Sequence, residues 1–453
     1  MTRDMTTGSP IRLILTFSIP LLIGNVFQQF YSMADTIIVG RTIGTDALAA
    51  VGATGGMSFL ILGFITGVTG GFAVITAQRF GANDPDGVRH SVAVSTWLCL
   101  LITAALTVLS MFAAMPMLQL MHTPDNIIQD AYAYIIIIYA GTGASIFYNM
   151  ISSILRALGD SKTPLYFLII ACVLNIILDF VCILNFKMGV AGAGVATVIA
   201  QLVAALLCVI YTAKKFPILR MKKSDWKLDG FSALLHLRVG LPMALQFAIT
   251  ATGVMVLQSA LNGFGSATIA AYTAGSKVQQ LAMQPMNTFG ITMATYAAQN
   301  LGAGRIDRIR EGVRKCTLVS FLFCLGGGLL MIFCGDLFVR LFITNPSEEV
   351  LQNARIYLLI SAVFFIVLSL LFIYRNTLQG MGLAFMPTMA GVIEFIMRTA
   401  AAFGLAAPLG YVGVCLADPI AWLGATIPLI VTYCIVIRRM EKRYALGPTL
   451  AKR

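Results

Sequence analysis

Residues 75–92, ITAQRFGANDPDGVRHSV, recur 221 positions later as YAAQNLGAGRIDRIREGV over 296–313, with Gln78 on Gln299, Gly81 on Gly302 and Arg89 on Arg310. The agreement continues outward on both sides. Gly44 matches Gly265 and Ala49–Ala50 match Ala270–Ala271, while LRALGDSKTP (155–164) aligns with LQGMGLAFMP (378–387). Gly189 and Gly192 fall on Gly410 and Gly413, and Pro20 meets Pro242 within a residue of the same offset. Matches at both ends of so long a stretch mark a duplicated unit rather than one shared helix.

What is duplicated follows from composition. Of 453 residues, 58% are hydrophobic and 11% charged, with a mean hydropathy of +0.87. Soluble domains carry about 25% charged residues, so too few charges are present to cover a water-facing surface. A hydrocarbon core needs about 20 apolar residues per helix, and apolar runs fall near 11–39, 49–75, 91–115, 131–155, 164–186, 193–213, 236–262, 266–297, 316–339, 356–378, 385–408 and 412–437. The expected fold class is all-α: a polytopic membrane protein of twelve transmembrane helices in two pseudo-symmetric six-helix lobes. The expected boundaries are an N-terminal lobe over 1–213, a basic linker over 214–235 and a C-terminal lobe with a short tail over 236–453. Six spans is an even number, so both copies enter from one side and form a parallel repeat about the membrane normal.

Charge sets the orientation. With the N-terminus inside, 25 of the 31 Lys and Arg face the cytoplasm, and Arg41, Lys187, Arg340 and Arg355 face out. Both termini are therefore expected to be cytoplasmic in a plasma-membrane protein. The net charge of +12 reads as loop bias and not as a nucleic-acid surface. The first apolar run is longer than a signal-peptide core and lacks a small-residue cleavage site, so it reads as a retained helix. Nine cysteines without CxxC spacing and three scattered histidines suggest neither disulfides nor a metal cluster. HExxH, GxSxG and GxxxxGK[ST] do not occur, which argues against an enzyme or an ATP-driven pump.

Ionisable residues inside a bilayer are costly and call for a function or a partner. Among 19 acids, Asp35, Asp179, Glu394 and Asp418 fall well within spans; among the basic residues, Lys277 and Arg398 do. Asp35 and Asp179 lie at similar depth in the outer half of the bilayer at 1.5 Å per residue. Asn175 shares the face of Asp179 four residues on, and Thr197 opens span six. Two carboxylates, an amide oxygen and a hydroxyl suit a small hard cation such as sodium; alternatively, desolvation and mutual repulsion make one carboxylate a proton carrier. Glu394 and Arg398, four apart, read as a structural ion pair, and Asp418 as a counter-charge candidate.

The two six-helix halves, Asn25 and Asp35 ahead of VGRTIG, the LRALGDSKTP turn and GVAGAGVATVIAQ opening span six together resemble the multidrug and toxic compound extrusion (MATE) family over essentially the whole length. The resemblance implies secondary active efflux of amphipathic, often cationic, compounds against inward sodium or protons. It maps a cation-coupling site onto Asp35, Asn175, Asp179 and Thr197, with Asn149 as a fifth member. The acids that another branch carries on helices seven and ten have no match here, where Asn376 stands on span ten. Gln28, Tyr31 and Ser32 on the Asp35 face, and the stripe Gln280, Met283, Gln284 and Asn287 on span eight, are candidates for lining a substrate lumen, with helix-to-helix hydrogen bonding as the alternative. Pro20, Pro242 and Pro285 are hinges or static kinks. The expected partners are amphipathic small molecules and the lipid bilayer, with no nucleic acid, no cofactor beyond the coupling ion, and a monomer sufficient for function. A lipid-linked precursor flippase is the alternative; it calls for more lumen cations than Lys277 and Arg398.

Overall fold

The computed structural model describes residues 3–343 and 346–445. Twelve helical spans follow one another along the chain, several of them interrupted. Span one is Pro10–Thr42; span two is Thr45–Ala53 with Gly55–Gly81; span three is Pro85–Leu120; span four is Asp125–Ala140 with Thr142–Ala157. Span five, Lys162–Phe180, ends in a π-helical turn, Val181–Asn185, and span six is Val190–Lys215. Span seven is Gly230–Leu261, span eight Ser266–Ala282 with Gln284–Gly302, span nine Ile306–Phe342 and span ten Glu348–Gly380. Span eleven is Phe385–Gly404, and span twelve joins Tyr411–Cys415 to Ala417–Ala445. Among the described residues, nine helices cross a membrane by length and hydropathy alone, and the two halves of span four, bent by 48°, pass together as a tenth. Spans eight and eleven miss that test because a break and buried charges dilute them, not because they are short of helix.

Local chemistry sets the ends. Asp84 accepts the Gly87 N–H at 2.8 Å ahead of Pro85 in the first helical position of span three, where a proline has no hydrogen bond to lose. Ser347 caps span ten by accepting from the Val350 N–H at 3.3 Å. The repeat is visible in the backbone itself: Gly189, before span six, has φ 60° and ψ −143°, and its match Gly410, before span twelve, has φ 59° and ψ −137°. Side chains other than glycine rarely enter that region.

The chain divides into two compact units, residues 1–4 with 19–244 and residues 5–18 with 245–453. The N-lobe unit thus includes the opening of span seven, and the C-lobe unit the opening of span one. Each changeover lies within three residues of a proline inside the helix, Pro20 or Pro242.

Within the N-lobe unit, spans two and seven meet backbone to backbone. A Cβ on Gly71 would stand 2.5 Å from Gly240 Cα, and one on Gly67 would stand 2.6 Å from Ala244 Cα. Small residues permit this approach where no hydrophobic effect drives helices together. In the C-lobe unit the repeat-matched contact is between hydroxyls, Ser18 Oγ to Thr292 Oγ1 at 2.8 Å.

The two stretches that reveal the repeat have matching jobs. In the C-lobe unit Gln299 accepts the Met5 N–H at 2.9 Å, and Arg308 donates to the carbonyls of Met5 and Gly8 at 3.3 and 3.0 Å. In the N-lobe unit Arg89 pairs with Asp225 at 3.2 Å, His90 Nε2 meets Asp229 Oδ2 at 2.8 Å, and Trp97 donates to the Trp226 carbonyl at 3.1 Å. Each stretch clamps the segment that leads into a first helix.

Candidate functional site

Span one brings Asp35 and span five brings Asp179 into the interior of the N-lobe unit, Asp35 9% and Asp179 0% exposed. The carboxylates lie within hydrogen-bonding reach of each other. One oxygen of each, Oδ1 in both cases, has no hydrogen-bond partner. Asn175, one turn before Asp179, is fully buried. With its amide oriented so that both ends find complementary groups, its nitrogen donates to Asp179 Oδ2 at 3.1 Å, and its oxygen accepts from the Thr197 N–H at 3.2 Å and the Thr197 hydroxyl at 3.3 Å. Tyr31 and Tyr134 lie within the electrostatic field of both carboxylates. Asp35, Asn175, Asp179 and Thr197 are therefore together. No cation side chain pairs with either acid among the described residues.

Beneath this cluster a cavity of about 150 Å³ runs between spans one, two, four, five and six, from Tyr31 and Cys172 to Arg156 and Ser161. Gln28 and Tyr31 line it, as does Asn149, whose Nδ2 donates to the Ser145 carbonyl at 2.8 Å. Ser32, although it shares the Asp35 face, is exposed and does not line this cavity. The other expected lumen residues lie in the C-lobe unit at the break of span eight. There Gln280 is exposed, and Met283, Gln284 and Asn287 are half-buried.

A sequence family described as MatE matches residues 20–181 and again 242–403, the two copies of the repeat. The chain belongs to the MATE family. It is 28% identical over 422 residues to the "Probable multidrug resistance protein YoeA" of Bacillus subtilis (strain 168), covering 91% of this chain and 89% of that protein. It is 24% identical to the "Probable multidrug resistance protein NorM" of Thermotoga maritima, covering 84% of this chain and 82% of that one. The fold superimposes with a TM-score of 0.90 on the outward-facing structure of a multidrug resistance MATE family transporter, at 22% identity over 96% of this chain and 98% of the other.

The C-lobe of this MATE chain holds its buried charges differently. Glu394 accepts from Arg375 Nη2 at 2.6 Å and from Arg398 Nη2 at 2.8 Å, and Arg398 Nε donates to Asp418 at 2.6 Å. The intrahelical pair expected between Glu394 and Arg398 is present, and Asp418 is engaged by Arg398. Two basic residues depart from the expectation that Lys277 and Arg398 are the intramembrane cations. Arg375, near the end of an apolar run, turns inward to Glu394 and is 5% exposed. Arg156, next to the LRALGDSKTP turn, lines the N-lobe cavity. Lys277 is exposed. Residues at run ends carry no sequence signal for which way the side chain turns. Tyr134, inside the apolar stretch AYAYIIIIYA, likewise gave no warning that it lies in the field of the acid pair.

Proposed function

We propose that this MATE protein exports amphipathic organic compounds in exchange for an inward-moving cation taken up at Asp35 and Asp179. The observation that carries the reading is the pair itself: two neighbouring carboxylates inside a lobe, each with an oxygen unpartnered, and no basic side chain paired with either among the described residues. Such a pair is electrostatically incomplete until a cation or a shared proton joins it. The amide of Asn175, donating to Asp179, supports a proton shared between the acids. Reversed, the same amide presents its oxygen and completes a shell for sodium with the Thr197 hydroxyl.

Uptake of the cation changes the charge of the N-lobe interior, and the cavity below opens directly from Tyr31, which lies in the field of the same cluster. A ligand shifts a conformational equilibrium only by its differential affinity for the two states, and a site whose charge is incomplete in one state and satisfied in the other supplies that difference. The excess of Lys and Arg in the loops favours a topology with both termini cytoplasmic, so the ion is taken up from outside while substrate leaves. The test is substrate efflux from proteoliposomes under sodium and proton gradients imposed separately. Efflux under one gradient alone identifies the coupling ion. Efflux that follows neither overturns the exchange reading.

A further inference from the structure

We propose that the Arg156 end of the N-lobe cavity is an oxyanion subsite, which takes the carboxylate or phosphate group of an amphiphile. The cavity is lined by twenty residues, and Arg156 is the one charged side chain among them. Asp35 and Asp179 do not line it.

Arg156 is spare in the chemical sense. A guanidinium has five N–H donors. Arg156 uses Nη2 toward Ser153 Oγ at 2.8 Å, its electrostatic neighbours are Tyr148 and Cys208, and no carboxylate of the described residues pairs with it. Its place at the C-terminal end of a helix makes a cation tolerable there but leaves the remaining donors unspent. The buried arginines are all engaged: Arg89, Arg375 and Arg398 are held by acids, and Arg308 by Asn300 and the carbonyls of Met5 and Gly8.

A second group points to the same ligand. Ser152 is 3% exposed and lines the cavity beside Tyr148, and its Oγ makes no hydrogen bond of good geometry; the Tyr148 hydroxyl donates to the Pro164 carbonyl at 3.2 Å. Gln201, whose carbonyl oxygen accepts from the Ser145 hydroxyl, has both of its amide N–H groups to offer. A guanidinium, a hydroxyl and an amide nitrogen can all donate at this end of the cavity, and a cation flanked by such donors selects an oxyanion. A cavity of about 150 Å³ holds a ring the size of benzene, so the subsite accepts an aromatic acid or an acidic head group while the rest of the amphiphile extends outward.

This inference rests on reading the cavity as part of the substrate path, and its test uses binding without any gradient. Benzoate and its neutral isostere benzamide are titrated into the purified full-length protein in detergent, with binding followed by saturation-transfer NMR. Benzoate is expected to bind about tenfold more tightly than benzamide, the worth of one charge-assisted contact. Arg156→Gln is expected to abolish the preference, whereas Arg156→Lys, which keeps the charge, retains part of it; a merely structural arginine would not discriminate between the isosteres. Should Arg156→Gln fail to fold, Ser152→Ala provides the same reading, with weaker benzoate binding and unchanged benzamide binding. Repeating the titration in phosphatidylglycerol nanodiscs separates the sources: loss of benzoate binding there assigns the subsite to a lipid head group, and persistence assigns it to a solute. Equal binding of the isosteres by the wild type, or a preference that survives Arg156→Gln, overturns the subsite. Gradient-driven efflux that persists alongside such a result leaves the transport reading intact.

Discussion

In the N-lobe, Asp35 and Asp179 face each other with an oxygen apiece unpartnered, whereas in the C-lobe Glu394 is held by Arg375 and Arg398, and Arg398 by Asp418. The C-lobe set is two cations against two anions and is neutral within itself; the N-lobe pair has no basic partner among the described residues. A self-neutral buried network leaves nothing for an ion to complete, while a pair of like charges demands one. Neither set is shared between the two copies of the duplicated unit. Asp35 and Asp179 fall on Val256 and Ala400 at the repeat offset, and Glu394 and Arg398 fall on Val173 and Ile177. The two lobes thus hold their buried charges differently on backbones that still match at Gly189 and Gly410.

The largest effect that follows is on coupling. Asp35→Asn keeps the shape and removes a charge, so gradient-driven efflux in proteoliposomes should fall to the level of protein-free vesicles, and Asp179→Asn should match it. The double variant should be no worse than either single one, because both act on one site. Full efflux by the double variant would sink the N-lobe coupling site. Next in size is the opposite experiment in the C-lobe. Glu394→Gln leaves two buried guanidinium groups facing each other, and breaking such a network by removing one partner costs about 3–5 kcal/mol. Thermal unfolding in detergent should therefore show Glu394→Gln strongly destabilised, while Asp35→Asn, relieved of a like-charge contact, unfolds at or above the wild-type temperature. Equal losses in the two lobes would erase the distinction between them.

How far the sequence reached can be followed through these residues. The duplication, the apolar runs and the depth of Asp35 and Asp179 are one-dimensional properties, and they led to the fold and to the acids on which the comparison turns. Asn175 follows from its helical spacing to Asp179, and the family resemblance points to the same residue. Arg156 and Arg375 were missed because both stand at the ends of apolar runs, where a long side chain can turn toward water or fold back inward; the choice is made by neighbours distant in sequence. Ser152 and Gln201 looked like ordinary small polar residues of a helix. Their significance lies in an unused donor, and that depends on which partners the packing withholds.

A smaller effect separates the ways in which the two units hold the helix ends they include. Span two meets span seven through Gly71 and Gly240 with backbone on backbone, whereas Thr292 and Ser18 meet through hydroxyls. Gly71→Val puts branched atoms where even a Cβ lies 2.5 Å from Gly240 Cα, and the backbone has no flexible tip to move aside; a loss of about 1–3 kcal/mol is expected. Thr292→Val is nearly isosteric. The Thr292 hydroxyl donates to the Thr288 carbonyl at 2.9 Å and so accepts from Ser18, whose donor is stranded by the change, at a cost of about 1 kcal/mol. Denaturation of the two variants side by side checks the order, and a Thr292→Val variant less stable than Gly71→Val would reverse it.

The smallest expected effect concerns pH and falls on one clamp only. Asp229 accepts the Ser232 N–H at 2.8 Å and meets His90 Nε2 at 2.8 Å, and these contacts, the Ser232 N–H first, pull its carboxyl down from 3.8 to about 2. A carboxyl depressed by folding adds stability above its unfolded value and loses it as pH falls through the folded one. The contribution of Asp229 is therefore complete above about pH 4 and fades toward pH 2. The C-lobe clamp, in which Arg308 donates to the carbonyls of Met5 and Gly8, rests on no carboxylate and should not follow that course. Asp229→Ala, compared with the wild type by the melting temperature of tryptophan fluorescence, should show a small deficit that is constant from pH 7 to about pH 4 and shrinks below it. Arg308→Ala should show a deficit that stays level over the same range. Because Trp226 lies in the segment that Asp229 anchors and stacks edge-on against Trp97 at 6.2 Å, the fluorescence reports on the N-lobe clamp directly. A deficit for Asp229→Ala that grows as pH falls would mean that the clamp draws its strength from some group other than this carboxylate.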